Sequence, residues 1–201
     1  LLTLLCAMAA GGEWQKALPG AAAVELVHNF SLLHDDIQDE SPTRRGRATV
    51  WTIWGVAQAI NAGDALFALA QLTVLGLGEA VSKEAGLWAS QVLQQTCLRL
   101  TQGQFLDLYY EQREDLAVKD YWPMVEGKTA ALLSASTQIG AIAAQTQPGR
   151  VESFRRFGEL LGFAFQVQDD LLGIWGDAAL IGKSTASDLV SGKKSLPVLF
   201  G

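Results

Sequence analysis

Apolar residues recur along most of the chain at helical spacing, and no stretch alternates apolar and polar as a half-buried strand would. Between Pro19, Pro42, Pro123, Pro148 and Pro197 the segments are long and rich in Ala, Leu and Gln, which favours helix. The pattern predicts helices over 1–10, 19–39, 49–77, 83–112, 120–144 and 150–173, and a further one beginning at Ser195. Two connections stand out, 40–48 and 174–194; each is polar, basic and glycine-containing, and each follows a helix that ends in carboxylates. No repeat or low-complexity tract divides the chain, so a single all-α domain over 1–201, a helical bundle, is expected.

Composition narrows the picture. Hydrophobic residues make up 49% of the 201, enough for one substantial core. The longest apolar stretch, 56–78, is interrupted by Gln58, Asn61, Asp64 and Gln71, which argues against a transmembrane segment and for a buried helix. Leu1 to Ala10 lacks the basic segment that precedes a signal peptide's apolar core. The chain starts and stops inside apolar segments, so the natural protein is expected to extend past both ends. Cys6 and Cys97 lie far apart among apolar neighbours and read as reduced core thiols, consistent with a cytoplasmic protein. A net charge of −6 disfavours nucleic acid as a partner. A small anionic substrate stays open if metal ions supply the positive charge.

Candidate chemistry sits in two acidic clusters. In His34-Asp35-Asp36-Ile37-Gln38-Asp39 the i,i+4 and i,i+3 spacings put three carboxylates on adjoining faces of one helical turn. Acid at a helix C-terminus is doubly unfavourable without a compensating cation. Oxygen ligands at this density suit Mg²⁺, which takes one or two carboxylates together with water and phosphate oxygens. An isolated motif of this kind is also what a solvated acidic helix end looks like. Asp169 and Asp170 change that balance, because they lie within 163–175, a segment dominated by Phe, Leu, Ile and Trp, where ionised groups are costly unless paired or metal-bound. If the clusters face each other across a bundle, they make an inward-pointing metal site. Arg44 and Arg45 offer planar forks for phosphate, and Lys128, Lys183 and Lys193 offer point charges.

These residues resemble those of the trans-isoprenyl diphosphate synthases, the family of farnesyl and geranylgeranyl diphosphate synthases. The resemblance runs over nearly the whole chain and rests on the 34–39 motif followed by Arg44-Arg45-Gly46, on Gly103-Gln104 with Asp107, and on Gly127-Lys128-Thr129-Ala130. It continues through Phe165 to Asp170, then Gly182-Lys183, Ser187-Asp188-Leu189 and Gly192-Lys193-Lys194. It implies an antiparallel bundle of the class I isoprenoid synthase type with a central active-site cavity. It also implies a homodimer and condensation of an allylic diphosphate with isopentenyl diphosphate. Asp35, Asp36, Asp39, Asp169 and Asp170 would bind Mg²⁺, three ions in all, with Mn²⁺ able to substitute. Arg44, Lys128, Gln166, Lys183 and Lys193 would contact the allylic substrate, and Arg45 the isopentenyl diphosphate. Lys128, Thr129 and Gln166 would be the catalytic set, the last two flanking the allylic carbon. Two departures stand out: Gly173 occupies the place of a third aspartate in the second motif, and the family's basic Gly-Lys-Arg motif would precede Leu1.

Product length in this family depends on what floors the cavity. Phe30 and Ser31 precede Asp35 by about one helical turn, and an aromatic with a small neighbour there suits geranylgeranyl more than farnesyl length. Two rival readings are a terpene cyclase of the same fold and a non-catalytic regulatory subunit of a synthase. Asp169-Asp170 and Arg44-Arg45 favour chain elongation over cyclisation, and the intact 35–39 cluster disfavours a purely regulatory role.

Overall fold

The computed structural model describes residues 1–176 and 193–200. Its elements are α1 (Leu2–Ala9), a 3₁₀ turn (Trp14–Ala17), α2 (Leu18–Gln38), the strands β1 (Thr43–Arg44) and β2 (Arg47–Ala48), α3 (Val50–Trp54), α4 (Val56–Leu75) and α5 (Leu77–Ala80). There follow α6 (Lys83–Glu111), α7 (Val118–Val125), a π turn (Glu126–Ala130), α8 (Ala131–Ala143), α9 (Pro148–Trp175) and α10 (Leu196–Phe200). The all-α expectation holds, and most helix boundaries fall within two or three residues of those read from periodicity. The exceptions are local. The expected helix over 49–77 is broken at Gly55, whose φ of 83° is the left-handed conformation that glycine tolerates.

The chain forms two compact units, one of residues 1–94 and 135–154, the other of 95–134 and 155–201. In the first, Pro19 opens α2 in its first turn, where a missing N–H costs nothing. Gly20 then lets α2 approach Ile139 and Leu77: a Cβ there would lie 2.6 Å from the Ile139 methyl group. Thr3 and Ser136 share a buried hydrogen bond of 3.0 Å that ties α1 to α8. In the second unit Tyr121, Met124 and Val125 of α7 form a buried cluster, against which Leu106, Phe163, Val167 and Leu199 pack.

The sequence reading of 56–78 as a buried helix needs correction. Within α4 only Ala59, Gly63, Ala70 and Val74 are buried, while Ile60, Phe67, Leu69, Leu72 and Leu75 are exposed. Small residues form most of the face that packs on α2, where Phe67 also meets a ring of α2, while Leu69, Leu72 and Leu75 are left exposed. By length and composition alone Val56–Ala80 would suffice to cross a membrane. Asp64, mid-helix, lies 3.7 Å from His34 of α2, whose ring fills the space that a Cβ on Gly63 would need.

Candidate active site

The first acidic cluster is shaped by how α2 ends. The Ser41 amide donates to the Asp36 carbonyl and the Glu40 amide to that of Ile37, with Glu40 left-handed at φ 48°. This is a Schellman ending with Glu where glycine is usual, a strained choice of the kind found at functional sites. The chain then turns through β1 and β2, which pair Thr43 with Ala48 and Arg44 with Arg47. Arg45 and Gly46 form the two-residue connection, both at positive φ (51° and 74°) as a tight hairpin requires. Trp51 closes the loop by donating its indole N–H to the Ser41 carbonyl at 2.8 Å.

The hairpin brings Arg44 back over α2. Its Nε donates to Asp36 at 2.7 Å and its Nη2 to Asp35 at 3.3 Å. Asp36 is buried and Asp35 partly so, whereas Asp39, at the end of the helix, is exposed. The sequence places Arg44 beside the acidic turn, and here it pairs with two of that turn's carboxylates. One turn earlier, Phe30 meets the rings of His34 (5.7 Å) and Phe67 (5.3 Å) edge to face, and the Ser31 hydroxyl donates to the His28 carbonyl.

In the second unit Lys128, Thr129, Gln166 and Asp170 lie on or are linked to the π turn. π turns are rare and concentrate at functional sites. This one is wedged between glycines: a Cβ on Gly103 would strike the backbone of Gly127 and Lys128, and one on Gly162 would strike Ala130. Lys128 on the turn forms an ion pair with buried Asp107 of α6. The Thr129 hydroxyl donates to Gln166 Oε1 at 2.6 Å, and Gln166 Nε2 donates to Asp170 Oδ1 at 2.8 Å. The other oxygen of Asp170 accepts from the Tyr121 hydroxyl (2.7 Å) and the Leu196 amide (2.8 Å). Asp170 is buried while its neighbour Asp169 is exposed. Burial, and after it the Asp170 carboxylate, push the Tyr121 phenol well above its ordinary pKa, so it stays a donor.

The sequence reading missed Tyr121, 49 residues from Asp170. The available signal was the acid itself, since a carboxylate in apolar surroundings needs donors. Lys193 is partly buried beside Ser195; Lys183 lies outside the described residues. Among the described residues no three carboxylate, imidazole or thiolate groups cluster closely enough to hold an ion unaided. Mg²⁺ usually takes one or two carboxylates and completes its shell with water and phosphate, so Asp35 with Asp39, or Asp169, suits it.

Proteins of known structure and name resemble this chain. The solved polyprenyl synthetase from Streptomyces coelicolor superposes with a TM-score of 0.92 at 45% identity, covering 98% of this chain and 57% of that one. The chain is 46% identical to a geranylgeranyl diphosphate synthase of Mycobacterium tuberculosis, over 98% of its own length and 56% of the relative's. It is 45% identical to a (2E,6E)-farnesyl diphosphate synthase of Mycobacterium bovis, over 98% and 54%. The chain thus spans a little over half the length of these relatives. Its fold is the all-α class I isoprenoid synthase fold. The polyprenyl synthetase family model matches residues 1–201, and the chain belongs to that family.

Proposed function

We propose that the chain is the catalytic body, a single isoprenoid synthase domain, of a Mg²⁺-dependent prenyltransferase. It would join an allylic diphosphate head to tail with isopentenyl diphosphate and yield an all-trans product of farnesyl to geranylgeranyl length. The observation that carries this reading is the polar π turn, on which Lys128 pairs with Asp107 of α6 and Thr129 with Gln166 of α9. Relatives named for farnesyl and geranylgeranyl products support the length range.

The reaction breaks the allylic C–O bond, and the electron pair leaves with diphosphate. The double bond of isopentenyl diphosphate then forms the new C–C bond, and loss of a proton, for which the departing diphosphate is the acceptor, completes the product. Asp35, Asp39 and Asp169 are the residues that would hold Mg²⁺, which when bound neutralises the diphosphate. Arg44, Lys128 and Lys193 would grip the allylic diphosphate, and Arg45 on its strained hairpin the isopentenyl diphosphate. The oxygen dipoles of Thr129 and Gln166 would steady positive charge on the allylic carbon. Phe30, braced by Phe67, would limit chain growth, so Phe30→Ala should shift the products toward longer chains. A second copy of the chain would cover Leu69 and Leu72 of α4, and a monomer by light scattering would end that part of the reading.

The deciding experiment supplies the complete protein with Mg²⁺, isopentenyl diphosphate and allylic primers of increasing length, then identifies the products. Elongated prenyl diphosphates, lost on chelation and restored by Mg²⁺, are expected. Turnover of the primer without isopentenyl diphosphate would indicate a cyclase instead. No turnover at all would indicate a regulatory subunit.

A further inference from the structure

We propose that Tyr121 is a positioning residue: through the carboxylate of Asp170 its hydroxyl sets the direction of the Gln166 amide and fastens the start of α10. Asp170 is 4% exposed and takes three neutral donors, the Tyr121 hydroxyl and Leu196 amide on Oδ2 and Gln166 Nε2 on Oδ1. An ionised carboxylate only accepts, so Gln166 must turn its NH₂ toward Asp170 and its oxygen toward the Thr129 hydroxyl. The orientation of the amide is therefore decided by Asp170, and the place of Asp170 by Tyr121. Tyr121 has little freedom of its own. It is fully buried with Met124 and Val125, with Leu106, Phe163 and Val167 packed against the cluster, and its ring meets that of Trp122 edge to face.

This gives the adjacent aspartates separate work. Asp169 is exposed and available to cations, while Asp170 joins α7, α9 and α10 from within the fold. A fully donor-supplied, buried carboxylate is suited to holding protein groups in register. The effect on catalysis rests on the function proposed above; the effect on α10 does not.

Tyr121→Phe in the complete protein tests both effects, because it removes one oxygen and keeps the ring. Losing one hydrogen bond at this hub should speed hydrogen exchange at the Leu196 amide about fivefold. It should also lower kcat about tenfold, with KM for both diphosphates nearly unchanged. Placed on a Gln166→Met background, Tyr121→Phe should lower kcat no further, since its effect passes through the amide that Met lacks. Asp170→Asn separates the two effects. Its oxygen can still accept from Tyr121 and Leu196, but its NH₂ faces Gln166 and forces that amide to reverse, so kcat should fall while Leu196 exchange stays slow. Unaltered Leu196 exchange in Tyr121→Phe overturns the proposal, as does a kcat loss that adds fully to that of Gln166→Met. If Tyr121→Phe fails to fold, Asp170→Asn decides alone, and an unchanged kcat overturns the proposal. Should the wild-type protein turn over no allylic diphosphate, the proposed function fails, and Leu196 exchange still decides whether Tyr121 fastens α10.

Discussion

The two acidic regions supply donors to their carboxylates by opposite means. On α2, Asp36 and Asp35 share one guanidinium, that of Arg44, whose side chain is 34% exposed. On α9, Asp170 has no cation among its described partners and relies on a phenol, an amide side chain and a backbone N–H. A charge partner near solvent can exchange one anion for another. Neutral donors fixed in a core cannot. The first arrangement therefore suits a site that binds and releases a charged substrate, and the second suits a fixed support.

Replacing Asp35 with Ala should have the largest consequence for activity: turnover is expected to fall about a thousandfold with the folded state largely retained. A fall of only severalfold in steady-state assays would remove Asp35 from the working site. Asp170→Ala should weaken the fold as well as the activity. The buried Tyr121 hydroxyl and two half-buried donors lose their acceptor, and unfolding free energy measured in urea should drop by about 3 kcal/mol. Asp36→Ala should cost less, about 1 kcal/mol, because Arg44 keeps Asp35 and can reach water. The Asp36 effect should also shrink in 1 M salt, where screening acts over about 3 Å, whereas the Asp170 effect should persist. Equal salt sensitivity of the two variants would abolish the contrast.

The helices were legible because apolar periodicity and sparse proline speak directly about local backbone. The acidic clusters were legible because their carboxylates crowd within one turn. What escaped was long-range or geometric. The Arg44 fork depends on a hairpin only two residues across, too short to show a strand pattern. The π turn has an ordinary composition, Glu-Gly-Lys-Thr-Ala, with Gly127 its one hint. The exposed face of α4 was misread because hydrophobicity alone does not say which side packs, and the small residues Ala59, Gly63 and Ala70 turned out to be the packing side.

The π turn carries a consequence for anyone altering this chain. A π turn holds one residue more than an α turn, so shortening 126–130 by a single residue would restore regular winding. The wider π winding absorbs that extra residue and keeps the flanking helices in phase, so the deletion would leave them nearly in place and change the directions of the side chains within the turn itself. Sequence alignments or designs that close this gap as noise would point Lys128 and Thr129 away from their partners even with both residues kept.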